Sequence, residues 1–218
     1  MKNTIVIIPA LNEDKTIGNV IQNIKKYVKD IIVISDGSSD NTANISKENG
    51  ALVIENIKNY GPEHATEQGI KKSIELGFDF IITFDADGQH PYQIIPYFID
   101  QLQKNNTDII VGCREKFPRF SEYLFSWYAK FKIGISDPIN GLKGFKSDVF
   151  KDIGYFDTIK GMTSQILFVA YKKKFKIMSI PIKTNKRIDT PRIGGSIKAN
   201  IKMLFSLIRI ISNDIFNK

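Results

Sequence analysis

The sequence predicts an α/β fold built on a mostly parallel sheet with helices on both faces. Three observations carry this. Short β-branched runs recur through the first hundred residues, and stretches with apolar residues at three- and four-residue spacing separate them. The runs are apolar throughout rather than alternating, as strands covered on both faces are. Acidic and glycine-containing turns follow several of the runs, at the carboxyl edge where such sheets bind ligands.

The strand-like runs, in order, are Thr4–Ile8, Ile31–Ile34, Ala51–Ile54, Phe80–Phe84 and Asp108–Val111. Helical spacing joins Ile17, Val20, Ile21, Ile24 and Val28, then Ile70, Ile74 and Leu76, then Ile95, Phe98, Ile99 and Leu102. The second half is less regular. Residues 113–122 read as a loop, 122–133 as an aromatic-rich helix, and 137–141 as a turn. A helix is expected over 162–172, a strand over 175–183, and a polar loop over 185–196. From Ile197 a tail helix carries Ile197, Ile201, Leu204, Ile208 and Ile211 on one face, with Lys198, Lys202 and Arg209 elsewhere. Residues 1–196 are expected to form one domain, with 197–218 an amphipathic helical tail of it.

Composition narrows the classes. The chain has 218 residues, 42% hydrophobic and 25% charged, enough for a sizeable core. One cysteine excludes a disulfide framework, and two histidines exclude a multi-histidine metal cage. The net charge of +8 favours anionic partners. No run approaches the ~18 apolar residues of a membrane span, and the first apolar run is too short and wrongly flanked for a signal peptide. The expected location is the cytoplasm, peripheral at the inner face of the membrane.

The strand ends hold the chemistry. After the first comes Pro9-Ala-Leu-Asn12-Glu13, where Asn12 and Glu13 either contact a ribose or base or start the next helix. After the second, Asp36 can accept from a nucleobase or ribose, Gly37 allows close approach, and Asp40 caps a helix. After the fourth, Asp85-Ala86-Asp87-Gly88-Gln89 brings two carboxylates together; they repel unless a cation lies between them. Mg²⁺ or Mn²⁺ suits such oxygen ligands together with substrate phosphates, and Gln89 adds a neutral oxygen. Four of the five arginines (Arg114, Arg119, Arg187 and Arg192) fall in predicted loops or strand ends, and arginine is shaped for bidentate phosphate contacts.

Together these segments resemble the family-2 inverting glycosyltransferases of the GT-A fold, a Rossmann-like sheet, and within them the polyprenyl-phosphate (dolichyl-phosphate) mannose or glucose synthases. The shared marks are residues 8–13, 35–42, 85–91, 112–114 and 137–141, with Arg192-Ile-Gly-Gly-Ser196 near the end. The resemblance implies that Pro9, Asn12, Glu13, Asp36, Asp85, Ala86 and Asp87 bind the nucleotide of a UDP- or GDP-hexose. It implies that Asp85, Asp87 and Gln89 hold Mg²⁺ or Mn²⁺, and that Arg114, Lys143, Arg187, Arg192 and Ser196 handle donor and acceptor phosphates. Three places depart from the family. Ser35 stands for the first of two aspartates, Lys143 for a phosphate-binding arginine, and residues 59–65 are bulkier and more acidic.

For a polyprenyl phosphate acceptor no general base is needed, since the phosphate is already an anion. For a sugar hydroxyl on a lipid-linked glycan a carboxylate must take a proton; Asp137 is the first candidate and Glu115 the second. Otherwise Asp137 is a turn residue before Pro138. The catalytic set is therefore Asp137, Asp87 and Arg114. The expected partners are the nucleotide sugar, the lipid acceptor, a membrane surface and a second copy of the chain in a homodimer, not nucleic acid. A sugar nucleotidyltransferase is the remote alternative, though the turn after the first strand lacks its Gly- and Arg-rich loop.

Overall fold

The five apolar runs join two further strands in one seven-stranded sheet in a computed structural model, which describes residues 4–117, 119–154, 164–185 and 197–216. In chain order the strands are β1 (Thr4–Ala10), β2 (Asp30–Asp36), β3 (Leu52–Asn56), β4 (Phe80–Thr83), β5 (Ile109–Arg114), β6 (Lys143–Lys146) and β7 (Ile177–Ile182). Across the sheet they run β3-β2-β1-β4-β6-β5-β7. All neighbours are parallel except that β6 runs antiparallel between β4 and β5.

The helices are α1 (Ile17–Ile24), α2 (Thr42–Glu48), α3 (Pro62–Glu75), α4 (Ile95–Gln103), α5 (Phe120–Ile133), α6 (Ser147–Ile153), α7 (Gln165–Lys172) and α8 (Ile197–Phe216). Residues of α1 and α4 pack with Val6 and Ile8 on one face of the sheet. Residues of α3, α5, α6, α7 and α8 pack with Ile5 and Ile7 on the other. Alternate side chains of one strand thus reach opposite layers. With eight residues, α1 is too short to stand alone in water. Its buried Ile17, Val20, Ile21 and Ile24 contribute roughly 1.5–3 kcal/mol each, so packing is what makes it a helix.

Several sequence expectations change. The segment expected as a loop over 113–122 is instead the end of β5, a short connection and the first turn of α5. Strand β6 was not expected: Lys-Gly-Phe-Lys has no β signal, and only its place between β4 and β5 makes it a strand. On α8 the core takes Met203, Leu207 and Ile210, whereas Ile201 and Ile208 of the expected stripe are exposed. The helix has apolar residues around most of its circumference, so two stripes satisfy helical spacing, and packing against α5 selects between them. Residues 186–196 of the expected polar loop lie outside the described residues.

Candidate active site

The carboxyl ends of β1, β2, β4 and β5 form one edge of the sheet. Because β6 is antiparallel, its first residue, Lys143, reaches the same edge, paired with Thr83 and Val111. The 137–143 turn is thereby brought beside the turn after β4. Buried Asn140 fixes it by donating to the Gly112 carbonyl at 2.6 Å, while Thr83 Oγ1 donates to the Gly141 carbonyl at 2.6 Å.

The turns after β1 and β2 are locked together. The Asn12 amide donates to Ser38 Oγ at 3.0 Å, and Asn12 Oδ1 accepts from the Ser39 amide at 2.7 Å. The Glu13 amide donates to Thr42 Oγ1 at 2.7 Å, and its carboxylate accepts from Thr16 Oγ1 at 3.0 Å. Asn12 takes a φ of 51°, in the left-handed region that asparagine tolerates. Pro9 is the second-last residue of β1, half-buried. Burial alone would raise the Asp40 carboxyl, but hydrogen bonds from Thr42 and Asp14 outweigh it and hold it low. Asp40 thus serves the start of α2, as expected.

Asp36 is buried, and its carboxylate accepts from Asn56 Nδ2 at 2.7 Å and from the amides of Tyr60 and Gly61 at 3.1 and 2.7 Å. It organises the 57–61 segment at this edge. Gly37 corrects an expectation: the close approach it permits is to the protein's own backbone. A Cβ there would sit 2.4 Å from Asn59 N and from the Lys58 carbonyl carbon.

After β4, Phe84 stacks on Tyr92 (centroids 5.5 Å apart) and meets His90 edge-on (5.2 Å), shaping the turn between them. Buried His90 donates Nε2–H to Asp85 Oδ2 at 2.8 Å, while its Nδ1 has no hydrogen-bond partner. Loss of hydration on burial pushes the Asp85 carboxyl up, but His90 first, then Lys143 and Arg114, hold it below the usual value. Asp87 accepts the Gln89 amide at 3.0 Å. Burial and the Asp87 charge together raise the Tyr92 hydroxyl, which stays protonated at neutral pH. Ala86 is buried in the apolar layer with α1 and α4. Gln89 is tied to Asn185: its carbonyl accepts the Asn185 amide at 2.8 Å, and its side chain donates to the Asn185 carbonyl at 3.5 Å. Arg187, Arg192 and Ser196 lie outside the described residues.

At the end of β5, Arg114 is gripped from two sides. Its Nε and one terminal nitrogen donate to the two oxygens of buried Asp137 at 2.8 and 3.1 Å, and its amide donates to the same carboxylate at 3.0 Å. It also donates to Glu122 at 3.0 Å, and Arg119 donates to the other Glu122 oxygen at 2.9 Å. Burial works against the Arg114 charge, yet Asp137 and Glu122 raise the guanidinium above its usual value. Burial lifts the Glu122 carboxyl despite both arginines. Lys143 is fully buried, donates to the Asn140 carbonyl and feels Asp137 and Asp85; burial still pulls its ammonium down to about 8. Sequence reasoning missed Glu122. Its signal was available: the one acid in an aromatic-rich helix, three residues after Arg119. His90 was seen only as part of a motif, without its role.

Among the described residues no cluster of three or more His, Cys, Asp or Glu could hold a metal by itself. Two carboxylates on one turn do fit a hard divalent cation that takes its remaining ligands from substrate phosphates and water.

Comparison with known proteins gives the family. Residues 5–154 match the model of Glycosyl transferase family 2. The chain is 30% identical to a UDP-N-acetylglucosamine–dolichyl-phosphate N-acetylglucosaminyltransferase of Methanococcus voltae, over 94% of each protein. It is 25% identical to a dolichyl-phosphate hexose transferase of Haloferax volcanii, over 86% of this chain and 85% of that one. A crystal structure of glucosyl-3-phosphoglycerate synthase from Mycobacterium tuberculosis with Mn²⁺, UDP-glucose and phosphoglyceric acid superposes with a TM-score of 0.78 at 16% identity, covering 97% of this chain and 80% of that one; this shows a shared GT-A fold. The chain belongs to glycosyltransferase family 2, and it is a glycosyltransferase.

Proposed function

We propose that this enzyme transfers a hexose, with inversion, from a UDP- or GDP-hexose to a polyprenyl phosphate at the inner face of a membrane. The observation that carries the acceptor assignment is the state of Asp137. Its carboxylate is buried and committed to Arg114 through three donated hydrogen bonds. Both of its oxygens are taken up in holding the guanidinium and the backbone of Arg114, so it is placed as a clamp rather than facing an incoming hydroxyl. Glu115 is exposed beyond β5. An acceptor that arrives already ionised needs neither as a base, only a cation to position it, and Arg114 is held for that. The relatives from M. voltae and H. volcanii, named for dolichyl-phosphate acceptors, support the same reading.

In this scheme Pro9, Asn12, Glu13 and Asp36 line the nucleoside side. Asp85 and Asp87, with Gln89, hold Mg²⁺ or Mn²⁺, which supplies electrostatic stabilisation of the leaving diphosphate. His90 orients Asp85, and Asp137 and Glu122 orient Arg114. Lys143 adds positive charge at this edge of the sheet, with Arg187, Arg192 and Ser196 serving the phosphates. Residues 1–196 make the transferase domain and 197–218 its helical tail.

The test is incubation of the purified chain with labelled UDP- and GDP-hexoses and undecaprenyl phosphate, with Mn²⁺ or with a chelator. A chloroform-soluble labelled product that requires the metal is expected. Label appearing only on a glycan hydroxyl, or full activity in chelator, would overturn the acceptor or the metal assignment respectively.

A further inference from the structure

Helix α5 presents an aromatic face that no described residue covers. Its inner stripe, Phe125, Ala129 and Ile133, joins the core. Its outer stripe carries Phe120, Tyr123, Trp127 and Phe131 at helical spacing, with Trp127 72% and Phe131 82% exposed and their rings stacked. Neighbouring α8 adds exposed Phe205 (68%) and Ile208. The two helices are joined where Ser121 Oγ donates to Asn200 Oδ1 at 2.7 Å, and both turn their inner residues into the same core. Their outer stripes therefore lie on the same side of the molecule. Large exposed aromatics in one patch mark an interaction surface rather than ordinary surface scatter.

Charge says what it meets. The only acid of α5, Glu122, is buried against Arg114 and Arg119, and Lys130 in its last turn is exposed. Arg209 is exposed on α8. Aromatic residues flanked by cations, on a chain of net charge +8, complement the interface of an anionic bilayer, where tryptophan and tyrosine rings sit at the headgroup level. Among the described residues no helix is long and apolar enough to cross a membrane.

We propose that the outer face of α5, extended by α8, docks the enzyme onto an anionic lipid surface. The first turn of α5 holds Glu122, which holds Arg114, so docking sets the Arg114 side of the site next to the bilayer. That last step rests on the polyprenyl-phosphate reading; the docking itself does not.

Trp127 is the only tryptophan of the chain and so reports on its own face. The full chain is mixed with vesicles of phosphatidylcholine alone or with 30 mol% phosphatidylglycerol, following tryptophan emission and co-sedimentation. The expected result is a blue shift and sedimentation with anionic vesicles, weakened by salt. The double variant Phe131→Ser, Phe205→Ser should bind at least about tenfold more weakly at an unchanged melting temperature, because both side chains are already in water. A Trp127 emission that ignores vesicles overturns the proposal. So does a concentration-dependent dimer without lipid that the double variant abolishes, since the face would then belong to a second copy. Vesicle binding without sugar transfer to polyprenyl phosphate supports the docking and overturns the acceptor assignment instead.

Discussion

Replacing Gly141 by alanine should disable the site with little loss of fold. A Cβ at this position would lie 2.0 Å from Asp85 Oδ1 and 2.6 Å from Oδ2, where real Cβ contacts stay beyond 3.0 Å. Gly141 cannot easily retreat, because its carbonyl accepts from Thr83 and its neighbour Asn140 is pinned to β5. The carboxylate must therefore move by about 1 Å, out of its 2.8 Å bond with His90. Losing one charge-assisted hydrogen bond costs about 2 kcal/mol, or roughly 4–8 °C in melting temperature for a chain this long. The catalytic loss should be larger: a misplacement of ~1 Å in a positioned group costs on the order of 100-fold. The assay is steady-state transfer, at least 10 °C below the variant's melting temperature, beside Asp85→Asn, which keeps the shape and removes the charge. If Gly141→Ala retains kcat/KM within threefold of the parent, the steric hold on Asp85 is refuted.

Three further outcomes are expected. Gly69→Ala should separate stability from activity: its Cβ would fall 2.3 Å from Ile7 Cγ2 and 2.7 Å from Ile34 Cδ1, an overpacking of about 1–3 kcal/mol, seen as a lower melting temperature with unchanged activity per folded molecule. Asp137→Asn should lower kcat/KM about tenfold by loosening Arg114 while leaving the shape of the pH–rate profile intact; loss of the acidic limb would instead make Asp137 a base. Asp108→Asn tests linkage. Burial raises this carboxyl, but the Lys146 ammonium at 2.7 Å and the Lys176 amide at 2.9 Å bring it below its ordinary value. A lowered folded pKa contributes stability above the unfolded pKa that disappears as pH falls through the folded one. Urea titrations should find the variant weaker by about 1–2 kcal/mol at pH 7, with the gap closing below about pH 4; a gap unchanged at pH 3 would contradict the assignment.

The parallel half of the sheet was legible because its signal is local. Five apolar runs and the helical spacing between them need no partner to be recognised, and β1, β2, β4 and β5 fall within a few residues of the runs that announce them. The antiparallel strand was hidden for the opposite reason. In β6, Gly144 is small because a Cβ would meet Ile110 at 2.8 Å and Phe98 at 3.1 Å, and Lys143 is buried because charges at the sheet edge surround it. Neither fact leaves a β pattern in the sequence. The site divides in the same way. The turn motifs announced Asp85, Asp87, Asn12 and Asp36. Glu122 lies on a helix whose register relative to β5 only the fold determines, and the sequence did not show that Asp36 and Gly37 serve the 57–61 segment.

The buried charges around Arg114 show why a cost in stability is sustained here. Asp137 and Glu122 are almost wholly buried, and they are matched by Arg114, Arg119 and the fully buried Lys143. Such networks return little net stability compared with apolar packing, while breaking one of them costs several kcal/mol. A network of this kind is thus poor as glue and effective as a clamp. The planar guanidinium of Arg114 is fixed by two carboxylates before any ligand arrives, so little side-chain entropy remains to be lost when an anion approaches. That matters most for an acceptor whose chemistry needs no proton removed and whose reactivity depends on placement. The lysine at position 143 fits the same logic. Its ammonium, drawn down to about 8 by burial, shares the neighbourhood of Asp85 and Asp137. Its positive charge offsets theirs at this edge of the sheet.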